Sequence, residues 1–233
     1  MKKLVTLMLM LGSTSIIYGQ TSTNEGLADR DVWFGNLIRE LPSRPAETTG
    51  SYYLDDSWKV SNITLISKGQ VKGYPTKLDL KQYELDIQVG DEIKVVQLLK
   101  VKEFKWADSP GDSSKFVNTE HLYGAVDGTG RMMEELVGNT FSLYKHMETY
   151  IQEANYNKAM GVGQQDNQIK LKKEYYLSKE GRLWLVSPKL KKNRELFGDH
   201  YSKVVAFTKA NKLKFNREED LIEVIKFLNG LNT

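Results

Sequence analysis

The sequence predicts an α+β protein in which a β-rich meander, sandwich or open barrel precedes a C-terminal helical segment. Between residues 51 and 186, apolar residues alternate with polar ones, and glycine-containing turns separate the alternating runs. After Pro188 the apolar residues follow the spacing of helices. Strands that come first and helices that come last are typical of an antiparallel sheet covered by helices.

Composition limits the chemistry that this chain can perform. The 233 residues are 40% hydrophobic and 27% charged, which suits one domain with a core of its own. The chain has no cysteine, so disulfides, thiolate metal sites and cysteine nucleophiles are excluded. Its three histidines form no i,i+4 pair and no HExxH motif. We therefore expect no metal site, no cofactor and no catalytic residue of a familiar pattern, and the chain leans towards a non-enzyme.

The first nineteen residues are typical of a signal peptide. Lys2 and Lys3 precede a short apolar run, and Gly19 suits the position before the cleavage site. Without a cysteine to carry lipid, the mature protein is expected to be periplasmic or secreted, with no transmembrane span. Residues 20–48 are predicted as a loosely structured lead-in. Its apolar stretch at residues 32–38 either docks on the main body or stays exposed for a partner.

Residues 49–187 are predicted as the β-rich domain, with about eight to ten short strands. Turn residues separate the strands, because glycine and asparagine adopt left-handed backbone conformations without penalty. Gly138 and Asn139 are expected to form a two-residue turn. The predicted strands and turns, in chain order, are 62–66, the turn 67–69, 83–89, the turn 90–91, 93–106, 132–137, 140–145, 170–177, the turn 178–181 and 182–186.

Residues 188–233 are predicted as a helical segment that packs on the sheet. One helix is expected at 189–197, ended by Gly198, and Asp199 is expected to cap the next. Asn216, followed three residues later by Glu219, predicts a capping box for the last helix. That helix carries an apolar stripe formed by Leu221, Val224, Ile225 and Leu228.

Two adjacent carboxylate pairs, Asp55-Asp56 and Glu134-Glu135, are the candidates for acid–base chemistry. Neighbouring residues on a strand point to opposite faces, so neither pair shares one task easily. A hydrolase that uses Asp55 or Glu135 is therefore only a third hypothesis. Serine-nucleophile elbows and complete phosphate loops are absent from the sequence.

Two groups of residues are candidate ligand contacts. Tyr53 and Trp58 belong to a large set of aromatic residues that suits strands and could include a platform for sugar or peptide. Asn155, Tyr156 and Asn157 form either a simple turn or a ligand-binding loop, and the glycines at 161 and 163 follow closely.

Charge is distributed unevenly along the chain. Residues 168–214 carry a net charge of +9, whereas residues 20–167 carry −6. The two parts either attract each other within one fold or leave a basic edge that faces anionic lipid or polysaccharide. Nucleic acid is not an expected partner for an exported chain.

The segment Gly50–Trp58, with the sequence GSYYLDDSW, resembles the opening of a group of uncharacterised exported proteins of Bacteroidota-type bacteria. Asn155–Asn157, the strand at 173–177 and the ending at 219–229 are similar to the same group. The resemblance covers most of residues 50–231. It implies a cell-envelope protein of unassigned activity, and it transfers no catalytic residues.

The sequence therefore favours a non-enzymatic binding or scaffolding module of the cell envelope, whose partner is an envelope protein, a glycan or a lipid. The alternative is a periplasmic carrier of lipid or lipoprotein, because a curved sheet closed by helices can hold an acyl chain.

Overall fold

The computed structural model of the protein describes residues 46–109, 112–124 and 131–231. The predicted signal peptide and nearly all of the predicted lead-in, including the apolar stretch at 32–38, lie outside the described residues. Within the described ranges, no helix has both the length and the apolar character that a membrane crossing requires.

Eleven strands belong to one sheet. Neighbours in the sheet are antiparallel, except that β1 and β10 are parallel. The strands are β1 (Thr48–Thr49), β2 (Lys59–Leu65), β3 (Gln70–Asp79), β4 (Glu84–Val89), β5 (Glu92–Gln97), β6 (Val101–Ser109), β7 (Asp112–Asn118), β8 (Met132–Val137), β9 (Ser142–Gln152), β10 (Asn167–Lys179) and β11 (Arg182–Leu185).

The order of the strands across the sheet is β1-β10-β9-β8-β7-β6-β2-β3-β4-β5. One side of β10 pairs with β9, while β1 and β11 pair with the two ends of its other side. Strand β5 is the last strand at the opposite end. The sheet is therefore a meander with two changes of order, one that brings β6 beside β2 and one that brings β1 beside β10.

The sheet curls strongly, like an open barrel. The backbone N–H of Met132 in β8 donates to the hydroxyl of Tyr83, just before β4, at 2.8 Å. In a flat sheet these two strands would lie about 24 Å apart, since four strands separate them. The segment before β2 also shows the curl. Thr49 pairs with β10, and Tyr53, only four residues later, bridges Asp79 of β3.

The concave face, defined here as the side that carries Phe104, Trp106 and Phe116, is filled by its own side chains. The rings of Phe104 and Phe116 stack at 4.6 Å, and Trp106 meets both edge-on. The indole N–H of Trp106 donates to the hydroxyl of Thr76 at 2.8 Å, which satisfies both buried polar groups. The remaining buried members of this cluster are Ile63, Leu78, Leu85, Ile87, Leu98, Val101, Met132 and Met147.

The helical segment covers the β8–β10 end of the same face. Its helices are α2 (Arg194–Phe197), α3 (Tyr201–Ala210) and α4 (Glu218–Gly230), and a short helix α1 (Thr119–Tyr123) follows β7. Three-residue or four-residue 3-10 turns occur at Leu98–Lys100, Leu190–Asn193 and Gly198–His200. The buried side chains between these helices and the sheet are Val137, Phe141, Leu143, Leu177, Val186, Leu196, Phe197, Val204, Phe215, Leu221, Val224, Ile225 and Leu228.

These elements confirm the predicted α+β class, a β-rich open sheet followed by a C-terminal helical segment. The apolar stripe of the last helix is also confirmed, since all four of its residues are buried. Gly198 ends α2, as its sequence position predicts, and its φ of 49° is left-handed.

Three local predictions are wrong. Helix α4 begins at Glu218, and Arg217 rather than Asn216 occupies the N-cap position, without a side-chain cap. The backbone N–H of Lys214 donates instead to Asp220. Asp199 lies inside a 3-10 turn, so it does not cap α3. Residues 138–141 form a four-residue connection rather than a two-residue turn, because the backbone N–H and C=O of Phe141 hydrogen bond to the Asn229 side chain of α4 rather than to β8.

A partly buried ionic network, the Lys145 network, joins α4 to the sheet. The Lys145 ammonium lies 2.7 Å from Glu134 of β8 and 3.1 Å from Glu218 of α4. The hydroxyl of Tyr175 in β10 donates to the other oxygen of Glu218 at 2.9 Å. Burial by itself lowers the pKa of Lys145, but the two carboxylates outweigh it and raise that pKa overall.

We predict that Ile225→Ala lowers the free energy of unfolding by about 2–5 kcal/mol, because this side chain is 1% exposed within the helix–sheet core. Urea unfolding monitored by circular dichroism measures the change. Glu223→Ala on the exposed side of α4 is the control, with an expected effect below about 0.5 kcal/mol. Equal midpoints for the two variants would show that α4 does not contribute to the core.

We predict that Lys145→Met destabilises the fold by about 1–3 kcal/mol, because it leaves the partly buried Glu134 and Glu218 without their shared cation. The triple variant Glu134→Gln, Lys145→Met, Glu218→Gln removes the unpaired charges and is expected to recover part of the loss. Urea melts of both variants and the parent test this. A single variant as stable as the parent would contradict the structural role of the network.

Candidate functional site

The predicted contact residues lie in two separate parts of the fold. Tyr53 and Trp58 both lie in the segment that precedes β2. They are on the convex face, the side of the sheet opposite the concave aromatic cluster. Asn155, Tyr156 and Asn157 lie in the loop between β9 and β10. None of the hydrogen bonds described for either group joins it to the other.

The aromatic pair on the convex face already holds a cation from the chain itself. The Lys77 ammonium lies 5.4 Å from the ring centre of Tyr53 and 5.0 Å from that of Trp58. The Tyr53 hydroxyl donates to Asp86 at 2.8 Å, and this hydrogen bond raises the pKa of Tyr53 to about 12. Lys77 therefore occupies the space beside the two rings that an external ligand would contact.

The candidate catalytic carboxylates are engaged in local structure. Asp55 accepts hydrogen bonds from the hydroxyl and the backbone N–H of Ser57, and its second oxygen lies 3.1 Å from Lys59. These bonds lower the pKa of Asp55 to about 2, so it is a poor proton donor near neutral pH. Glu135 pairs with Lys115 on the convex face at 3.2 Å.

The asparagines of the β9–β10 loop hold that loop in one shape. The side-chain oxygen of Asn155 accepts from the backbone N–H of Gln164 at 2.8 Å, and that of Asn157 accepts from Met160 at 3.2 Å. A backbone hydrogen bond from Asn157 to Val162, at 2.8 Å, closes the inner turn. Both asparagine side chains therefore act on their own backbone, as Asx turns do.

A glycine allows this loop to close. Gly163 has a φ of 102°, and a Cβ there would lie 2.6 Å from the carbonyl oxygen of Asn155. No side chain fits that contact without moving backbone, so Gly163 fixes the close approach of the two arms of the loop.

The loop displays three apolar side chains at the surface. Met160 is 71% exposed, Val162 54% and Tyr156 38%; we call these three residues the tip patch. Of the three, the sequence points only to Tyr156. For Met160 and Val162, the sequence shows only the asparagines and glycines around them. In the structure the asparagine side chains hydrogen bond within the loop, and Met160 and Val162 remain exposed.

The convex face over β8–β10 carries a polar and aromatic cluster. The Arg131 guanidinium stands over the Tyr176 ring and donates to its hydroxyl, and the hydroxyls of Tyr123 and Tyr144 are 2.8 Å apart. A shallow surface depression adjoins the cluster. Its lining residues are Thr119, Glu120, Gly124, Arg131, Met133, Tyr176 and Leu183.

His146 is buried within this cluster. It is 7% exposed, and its Nδ1 has no hydrogen-bond partner among the described residues. Burial, followed by the charge of Arg131, lowers the pKa of His146. The imidazole is therefore held neutral at pH values where an exposed histidine begins to take up a proton.

Across the described ranges, no three histidine, aspartate or glutamate side chains converge in a way that could hold a metal ion. No protein-family model, no curated protein and no solved structure matches this chain.

We predict that the protein loses stability between pH 7.5 and pH 5.5. The unfolded chain gains a proton at His146 near pH 6.5, whereas the folded chain resists it, so the free energy of unfolding falls by at most about 1.4 kcal/mol. Urea melts at the two pH values measure the loss. His146→Gln is expected to remove most of it, and His121→Gln at an exposed site to leave it unchanged. The same loss in both variants would contradict the role of His146.

Proposed function

We propose that this chain is an exported, non-enzymatic binding module of the cell envelope, and that it docks another envelope protein through the tip patch. The observation that carries the proposal is the exposure of Met160, Val162 and Tyr156 on a loop held by its own hydrogen bonds.

The shape of the loop favours binding. A contact loop that is already ordered loses little conformational freedom when it docks, so more of its contact energy appears as affinity. The Asn155 and Asn157 hydrogen bonds and the tight passage at Gly163 supply that order.

The chemistry of the tip patch favours a protein partner. Methionine and tyrosine are enriched in the buried centres of protein interfaces. A glycan site normally uses stacked aromatic rings, but the tip has Tyr156 alone, and the Tyr53–Trp58 pair holds Lys77. A lipid site would need a cluster of basic residues beside the patch, whereas the β9–β10 loop carries only one lysine, Lys158. The exposed Lys191, Lys192 and Lys209 belong to the helical segment.

The alternative, a lipid carrier, needs an internal cavity of several hundred cubic ångströms. In the described part of the chain, the concave face that would hold an acyl chain is filled by the stacked Phe104 and Phe116 and by Trp106. An external contact surface agrees better with this packing than internal carriage does.

The binding experiment compares purified mature protein with the double variant Met160→Asp, Val162→Asp on an immobilised surface over solubilised envelope proteins of its host. We expect the parent to retain a discrete partner and the double variant to bind it at least about thirtyfold more weakly, as at interface hot spots. Leu99→Asp is the matched control, since Leu99 is 56% exposed at the far end of the sheet.

Equal retention by the parent and the double variant would overturn the role of the tip. Tip-dependent binding to anionic vesicles or to envelope polysaccharide, without a protein, would replace the proposed partner class. Turnover of a panel of esters, glycosides or phosphate esters would overturn the non-enzymatic assignment.

A further inference from the structure

Strand β5 leaves one side of its backbone open. It pairs with β4 through six residue pairs without a bulge, and no described strand pairs with its other side. The backbone N–H of Leu98, just after β5, donates to Tyr83 across from it. Since backbone groups alternate along a strand, those of Ile93 and Val95 point away from β4, towards the open edge.

The side chains of this edge are apolar on one face. Ile93 is 58% exposed and Val95 is 54% exposed, and both stand on the convex face. In natural proteins a proline, a bulge or extra charge normally keeps such an edge from pairing with another chain. β5 has neither of the first two, and its charges are one glutamate and one lysine, Glu92 and Lys94.

Within one chain the exposed Lys94 ammonium pairs with Glu92. The same two charges are complementary across the strands when β5 meets a second copy of itself. In an antiparallel pair centred on Ile93, each Glu92 lies opposite the Lys94 of the other copy, and the two Ile93 residues face each other. Centring the pair on Lys94 would oppose two lysines, and centring it on Val95 would place Lys94 opposite Val96. The charges therefore favour one register.

The backbone agrees with the same register. Ile93 directs its N–H and C=O to the open edge, so two Ile93 residues related by a two-fold axis can exchange both hydrogen bonds. We propose that the protein forms a homodimer by antiparallel β5–β5 pairing about Ile93. Glu92 and Lys94 form the cross-strand ion pairs on one face, while Ile93 and Val95 of both copies pack together on the other.

The dimer is expected to be weak. A contact of about five residues per strand buries less than the roughly 800 Å² per partner of a standard stable interface. Dissociation constants of tens to hundreds of micromolar suit such an interface, and we expect monomer and dimer to interconvert rapidly. The dimer does not depend on the tip patch, because that patch lies in the β9–β10 loop at the other end of the sheet order.

Sedimentation velocity of the mature chain from about 5 µM to about 500 µM tests the proposal. We expect the average mass to rise towards that of a dimer. Glu92→Lys and Lys94→Glu each create two like-charge contacts and are expected to weaken the dimer at least about tenfold. The double variant Glu92→Lys, Lys94→Glu restores opposite charges and is expected to dimerise like the parent. Lys105→Glu, an exposed charge reversal on β6, is the control.

A monomer throughout the concentration range would overturn the proposal. A dimer that neither single reversal weakens, or that the double variant does not restore, would overturn the β5 register. Urea midpoints of each variant show whether its fold is intact, and the double variant distinguishes loss of pairing from loss of fold.

Discussion

The Lys145 network is the interaction on which the two halves of the core depend. Lys145 stands on the concave face of β9, with Leu143 of the helix–sheet core on one side of it and Met147 of the aromatic cluster on the other. A helix of thirteen residues such as α4 is marginal on its own. Burial of its apolar stripe tolerates several positions of the helix on the sheet, whereas the ion pair between Lys145 and Glu218 requires one position. The network therefore fixes the position of α4 along the sheet, at the cost of burying the Lys145 charge and partly burying two carboxylates.

The curl of the sheet explains why the candidate contact surfaces lie at its periphery. Curling brings Tyr83 to Met132 and allows side chains of seven strands to fill one concave face. Phenylalanine and tryptophan rings occupy the concave face. The two proposed contact elements, the β9–β10 loop and the β5 edge, lie outside this packed core. Such peripheral positions on a rigid scaffold are where binding residues usually occur.

Local periodicity made part of this fold predictable. Alternation identified the strand at 83–89, in which Leu85 and Ile87 are buried, and helical spacing identified the buried stripe of α4. The pairing of β6 with β2 and the closure by Tyr83 were not predictable, because they join residues distant in sequence. The contact of the Lys77 ammonium with the Tyr53 and Trp58 rings was not predictable for the same reason. Asn216 failed as a cap because the chain before α4 is held through Asp220 instead.

The β9–β10 loop shows how a polar sequence motif can frame exposed apolar side chains. Asn155 and Asn157 stand out in the sequence, yet their side-chain oxygens bond to their own loop. The residues they hold outward, Met160 and Val162, are ordinary apolar residues that a sequence pattern would assign to a core. Exposure is a property of the whole fold, so it cannot be read from a short motif. A rigid polar frame around exposed apolar side chains is nevertheless what preorganised binding requires, because the frame bears the ordering cost before the partner arrives.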